Sequence, residues 1–281
     1  MGLTVSAALG AAGRPRHDSA TSQQIGKEYV LETDIEYFAK LDDPDGDEYT
    51  RSLIDLLEGG TLDLELAAFL VDRVRQGASL ITGSGPGGIG KTTTMHALAC
   101  FVGEGLPFFL ALPGKADAVA AERACVVSNE LSDHPPPTYL WGDDLRAFFA
   151  QGEKGHTLVS NVHADDLEEI SGQILGENGV PAEQFRRVNL LVFICLEGGN
   201  PPERRIKDTT TRRIVNKVYY SDGQTEHRLV YEAGGGLRAE APRDTESESA
   251  CRAFLEETLA GDARRLSEVR RLFLQWQKEG G

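Results

Sequence analysis

The spacing of apolar and polar positions divides the chain into stretches of different character. Residues 1–24 are small and polar with no periodicity, which predicts a disordered tail. Residues 25–60 carry short apolar clusters around the acidic stretch "LDDPDGDEY", which reads as a loop. A helix-start signal stands at Thr61, after which Leu62, Leu66, Phe69, Leu70 and Val74 fall on one helical face. Four short apolar runs follow: "SLITG", "LPFFLAL", "ACVVSNEL" and "HTLVSNV". Each has the length of a buried strand. Between them "KTTTMHALACFVGEG", "YLWGDDLRAFFAQGEKG" and "HADDLEEISGQIL" repeat at helical spacing, with Met95, Leu98 and Val102 on one side of the first and acids in the first turn of the last. Strands alternating with helices predict a mainly parallel sheet covered on both faces.

Beyond residue 187 the pattern changes. "NLLVFICLE", "RRIVNKVYYSD" and "EHRLVYE" are strands joined by short polar turns, an antiparallel extension. Residues 236–249 read as a flexible link. Residues 250–281 read as C-terminal helices, with Leu266, Val269, Leu272, Phe273 and Trp276 on one face. Those helices are expected to cover the sheet, the alternative being a docking surface. The expected organisation is a tail over 1–24, a small N-terminal helical region over 25–77, an α/β core over 78–235, the link, and the terminal helices. No internal repeat is present.

Composition narrows the function classes. A formal charge of −15 argues against a broad nucleic-acid-binding surface, so no nucleic-acid partner is expected. No apolar run reaches membrane-spanning length. Cys100, Cys125, Cys195 and Cys251 are widely spaced with no C-x-x-C pair, which fits reduced thiols in a cytoplasmic protein and not a zinc site. The first twenty residues lack the charged start of a secretory leader. "MGLTVS" fits the loose acylation pattern Met-Gly-x-x-x-Ser/Thr, a pattern that chance matches satisfy often.

The stretch "GSGPGGIGKTTT" over 83–94 admits two phosphate-binding patterns. Gly83-x-Gly85-x-x-Gly88 is the dinucleotide pattern, which also requires an acid at the end of the second strand to hold a ribose. That strand ends "LALPGK" and supplies none. Gly85, four residues, then Gly90-Lys91-Thr92 is the P-loop, which requires a strand before and a helix after, and both are predicted. Glycines let successive backbone N–H groups turn toward phosphate oxygens, and the helix adds its positive end. Gly85, Pro86, Gly87, Gly88, Ile89, Gly90, Lys91, Thr92 and Thr93 are therefore the expected nucleotide-binding residues. Lys91 reaches the β- and γ-phosphates, and the Thr92 hydroxyl takes a Mg²⁺ position. The expected fold is a P-loop nucleotidase core of the RecA-like kind, with ATP and Mg²⁺ as cofactors.

Hydrolysis also needs a carboxylate that positions water at the γ-phosphate. "ACVVSNEL" offers Glu130 at a strand end, while Asn129 stands where an Asp often helps to hold Mg²⁺. Further on, "GHTLVSNVHADD" sets His156 and His163 at opposite ends of one strand, a spacing that is no metal site.

Taken in order, Gly85–Thr92, Asn129-Glu130 and Gly155-His156 through His163-Ala164-Asp165 resemble the secretion ATPases, the motors of type II and type IV secretion, type IV pili and archaeal flagella. The box at Gly155, His156, Ser160, His163 and Ala164 is the specific part, and the resemblance covers roughly residues 55–232. It implies an ATPase working as a hexameric ring against a membrane-embedded secretion or pilus platform protein, cytoplasmic or peripheral at the inner face of the membrane. Lys91 and Glu130 would be the catalytic residues, and His156 and His163 would sense the nucleotide state. An arginine from a neighbouring subunit is also implied, with Arg146, Arg186 and Arg187 as candidates. Three features depart from the pattern. No acidic box lies between the P-loop and the Glu130 strand, Ser132 replaces an arginine, and "DHPPPTYLWG" is inserted after that strand. They leave two other readings open: a slow or inactive ATP-binding switch or scaffold, and a P-loop kinase acting on a small acceptor.

Overall fold

The computed structural model describes residues 33–42, 50–85, 88–134, 136–198 and 211–281. The expectations for residues 1–24, and for Pro86 and Gly87, lie outside these. Helices α1 (Asp34–Asp42), α2 (Leu53–Glu58) and α3 (Leu64–Arg75) come first. Strand β1 (Leu80–Gly83) runs into the glycine-rich loop and α4 (Lys91–Ala99), followed by β2 (Phe108–Ala111) and β3 (Cys125–Ser128). Next come α5 (Asp143–Gln151), β4 (Thr157–Val162), α6 (Leu167–Ser171), which continues into a wider π-helical turn over Gly172–Glu177, and α7 (Ala182–Arg186). Strands β5 (Leu190–Glu197), β6 (Arg212–Tyr220), β7 (Arg228–Glu232) and β8 (Gly236–Leu237) precede α8 (Thr245–Ala260) and α9 (Leu266–Lys278).

The described strands form one sheet in the order β2-β3-β4-β1-β5-β6-β7-β8. The first five are mutually parallel, and β6, β7 and β8 extend the sheet antiparallel. This is the α/β architecture that the alternating pattern predicts. Because successive side chains of a strand point to opposite faces, each central strand feeds two cores. Leu80, Val127, Val159 and Val192 pack toward α1 to α4, α8 and α9. Ile81, Val126, Leu158 and Phe193 pack toward α5, α6 and α7. Both faces are covered, so the central strands read as continuous apolar runs.

Details of the sequence reading change. Leu62, Leu66, Phe69, Leu70 and Val74 are all buried, but α3 begins two residues later than Thr61 suggests. Asp63 caps it, its side chain accepting from the Leu66 N–H at 2.8 Å. The stretch 236–249 contains β8 and the first turn of α8, capped by Asp244. On α9, Leu266, Val269 and Phe273 are fully buried, whereas Leu272 is exposed.

The terminal helices rest mainly on other helices. Buried Asp72 of α3 accepts from Ser247 of α8 and pairs with Arg73 and Arg75. Burial opposes ionisation of Asp72, yet these partners hold its carboxyl below the ordinary value. Arg270 of α9 is fully buried. It donates to the carbonyls of Cys100 (3.0 Å) and Val102 beyond the end of α4, and pairs with Asp34 of α1 at 2.8 Å. A cation at that end complements the helix dipole and satisfies carbonyls that the helix leaves free. All four cysteines are free thiols. Burial pushes Cys100 up to about 12 and Cys251 up to about 11, so they act as apolar filling.

Three buried histidines set an acid limit. Burial pushes His96 down to about 4 and also lowers His227 and His156. An unfolded chain protonates its histidines near pH 6.5 and the native chain only at lower pH, so the unfolded state binds more protons in between. Stability is therefore complete above about pH 6.5 and is lost as pH falls toward 4, with His96 alone contributing about 3 kcal/mol. Urea denaturation across this range should show that loss, and His96→Leu should flatten it. An unchanged slope in the variant would contradict the assignment.

Candidate functional site

Parallel pairing brings three strand ends to one level. Gly83 of β1 is in register with Val162 of β4, and Leu131, just past β3, bridges to the same Val162. The residues that follow each strand therefore meet: the glycine loop after β1, His163 after β4, and Glu130 beside β3. This is the carboxyl edge of a parallel sheet, where ligands of open α/β folds bind.

Local chemistry shapes the loop. Gly88 and Gly90 have φ of 73° and 102°, the left-handed region that side chains disfavour. Gly83 is needed for close approach, because a Cβ there would lie 2.6 Å from the Phe193 ring and 2.9 Å from the Ala164 carbonyl. The Thr82 hydroxyl donates to the Lys91 carbonyl at 3.1 Å, tying β1 to the start of α4. Ile89 is buried beneath the loop, while Thr92 is exposed at its mouth and Thr93 is half-buried.

Lys91 is buried, 5% exposed, and it begins α4. A cation at a helix N-terminus opposes the dipole, and burial strips its water. Burial lowers the Lys91 pKa, and the charges of Glu130 and Asp165 partly restore it. The ammonium lies 3.1 Å from His163 Nδ1, which is also 3.0 Å from the Gly85 carbonyl. His163 Nε2 lies 2.9 Å from Glu130 Oε1, at ion-pair distance but without hydrogen-bond alignment. With Nε2 protonated, the imidazole faces the carboxylate with a proton and offers Nδ1 to Lys91.

Glu130 is buried, at 7% exposure. Its own backbone carbonyl accepts from Leu140 N–H at 3.0 Å, and Leu131 donates to Asn161 at 2.9 Å. The inserted segment thus returns alongside β3 and holds Glu130 at the strand end.

Several site residues were assigned no role from the sequence. Asp165, at the end of the stretch that carries the resemblance, accepts the Gly85 N–H at 2.6 Å. Asn161 is fully buried in β4 and donates to the Asn129 carbonyl at 2.5 Å and to the Thr92 hydroxyl at 3.4 Å. The Asn129 carbonyl can only accept, so the Asn161 amide nitrogen faces it and Oδ1 is left without a hydrogen-bond partner; Glu130 Oε1 accepts no aligned hydrogen bond either, although His163 Nε2 lies 2.9 Å from it. Gln173, in the π-helical turn, donates to the His163 carbonyl at 2.7 Å. Arg213 of β6 lies along the loop, its Cδ 3.5 Å from where a Gly90 Cβ would stand. It helps to line a cavity of about 550 Å³ beside Gly88, Ile89, Gly90, Thr93 and Thr94.

The structure brings together Gly85, Gly88, Ile89, Gly90, Lys91, Thr92, Glu130 and His163. His156 stands apart, at the opposite end of β4, about 20 Å away at 3.3 Å per residue. Of the arginine candidates, Arg146 pairs with Asp143 and donates to the Asn178 carbonyl, Arg186 pairs with Glu226, and Arg187 shares a cavity with His156. The oxygen donors suit Mg²⁺: the Thr92 hydroxyl, the Oδ1 of Asn161 beside it and the Glu130 carboxylate, which faces His163, are a hard donor set.

No family model matches the chain, and no curated protein matches it. Among solved structures, the chain is similar to the VirB11 ATPase of the Brucella suis type IV secretion system, determined in complex with sulphate. Identity is 18%, the TM-score is 0.38, and the match covers 76% of this chain and 67% of that one. It is also similar to the Legionella pneumophila ATPase DotB, at 12% identity and a TM-score of 0.33, covering 80% of this chain and 54% of that one. The chain thus spans about half the length of DotB.

The two loop glycines should respond differently to a methyl group. Gly83→Ala forces a Cβ into the Phe193 ring and a backbone carbonyl, and should cost about 1–3 kcal/mol in urea denaturation. Gly85→Ala meets only the exposed Asp165 carboxylate, at 2.4 Å, which can swing into solvent, so its cost should stay below about 1 kcal/mol. Equal costs would contradict the packing described.

Proposed function

We propose that the chain binds ATP with Mg²⁺ and hydrolyses it as a ring-forming motor ATPase of the secretion or pilus type. The observation that carries this reading is the buried Lys91 ammonium at a helix N-terminus, with Glu130 and His163 gathered around it. A desolvated cation at the positive end of a helix calls for an anion, and loop N–H groups with Lys91 suit the β- and γ-phosphates. Asp165, on the Gly85 N–H, shows that this backbone accepts a negative partner.

On this reading Lys91 holds the phosphates, Thr92 holds Mg²⁺, and Glu130 orients the attacking water. Mg²⁺, when bound, would neutralise charge on the phosphate oxygens. His163 would report the nucleotide state, a role that its contacts with both Lys91 and Glu130 support. His156 could do so only through β4. Arg213 is placed to add a positive charge from within the same chain. The proposed partners are further copies of this chain in a hexamer and a membrane-embedded platform protein. The chain would work in the cytoplasm, docking peripherally at the inner face of the membrane. Among the described residues, no helix is long and apolar enough to cross a membrane.

The second reading, a slow or inactive ATP-binding switch, has its own support. His163 occupies Glu130 at 2.9 Å, and Asn129 supplies no acid. Turnover then waits on the release of Glu130 from His163.

Phosphate release at steady state separates the two. Wild type should turn over in the presence of Mg²⁺. Lys91→Ala and Glu130→Gln should each lower the rate at least about 100-fold, with Glu130→Gln still binding ATP. Binding without turnover, even when concentrated or with membranes added, would favour the switch. Size-exclusion chromatography with a non-hydrolysable analogue should show a hexamer. A monomer under every nucleotide condition would contradict the ring and favour a kinase.

A further inference from the structure

At the amino ends of the parallel strands, opposite the glycine loop, lies a second cavity of about 220 Å³. Its lining includes Arg123, Arg187, His156, Ser79 and Asp222. Neither Arg123 nor Arg187 makes an ion pair or side-chain hydrogen bond among the described residues, in a chain that carries fifteen more negative than positive charges. The Arg123 guanidinium extends over Gly77, 4.0 Å from where its Cβ would stand.

The other polar groups are committed in ways that leave donors toward the cavity. Buried His156 accepts the Ala124 N–H on Nδ1 at 3.1 Å. A backbone N–H can only donate, so the neutral ring carries its proton on Nε2. Ser79 Oγ accepts from the Leu158 N–H at 2.9 Å, which leaves the hydroxyl proton free to donate. Asp222 is the one acid in the lining. Its Oδ1 is taken up by its own turn, accepting from Gln224 N–H, Thr225 N–H and the Thr225 hydroxyl. Two guanidiniums, an imidazole N–H and a hydroxyl therefore outweigh one carboxylate.

We propose that this cavity is a binding site for a small phosphate-type oxyanion, held by Arg123, Arg187 and the Nε2–H of His156. Guanidinium forks match oxyanion geometry, and hydrogen bonds to ionised groups are the strong ones. The volume decides the size class. Cavities that enclose drug-sized ligands run from about 300 Å³ upward, so this one has the size for an inorganic oxyanion. The site is independent of the ATP reading, and it gives His156 a role that its distance from the glycine loop denies it there.

Calorimetric titration of inorganic phosphate into Lys91→Ala protein tests this, because that variant removes the phosphate grip of the glycine loop. One saturable site per chain is expected, weakened at least about 10-fold by Arg123→Ala and by Arg187→Ala. Both arginines are exposed, so the fold should survive, and circular dichroism checks it. In wild type the His156 ring resonances should shift on the same titration. Three results would overturn the proposal: no saturable binding, binding indifferent to both arginines, or acetate binding as tightly as phosphate.

Discussion

The buried ammonium of Lys91 is the constraint around which the site is organised. The fold places this cation at the wrong end of a helix and takes most of its water away, two costs that nothing in α4 itself offsets. Compensation comes from elsewhere in the chain: Glu130 beside β3, with Asp165 and His163 after β4. These groups reach Lys91 only because β4 lies between β1 and β3 with their carboxyl ends in register. Sheet order and site electrostatics are therefore one fact seen at two scales.

The opposite end of the same helix is treated in the complementary way. There the carbonyls beyond α4 meet the guanidinium of Arg270, fully buried and paired with Asp34. One residue of α9 thus links the terminal helices, the first described helix and the helix that follows the glycine loop. The terminal helices are thereby tied to the helix on which the glycine loop ends.

How much of this could be read in advance follows from the range of each interaction. The strand and helix alternation, the glycine loop between a strand and a helix, and the position of Glu130 just past a strand depend on neighbours in sequence and were legible. Asp63 displaced Thr61 as a helix cap because both are good caps and only the backbone path chooses between them. Leu272 shares a helical stripe with buried residues, yet it lies at the stripe's edge and faces solvent. Asn161, Asp165 and Arg213 matter through partners 69, 80 and 123 positions away in the chain, respectively Thr92, Gly85 and Gly90. No local pattern announces contacts of that span. His156 and His163 looked equivalent as the ends of one strand, and only the strand's direction separates a residue at the loop from one at the far edge.

If the buried Lys91 ammonium serves the phosphates of a nucleotide, equilibrium titration of the wild-type chain with a non-hydrolysable ATP analogue and Mg²⁺ should find one site per chain. Affinity should fall from triphosphate to diphosphate to monophosphate and be lost in Lys91→Ala. Absence of saturable binding at millimolar analogue, or binding that Lys91→Ala leaves intact, would contradict that role.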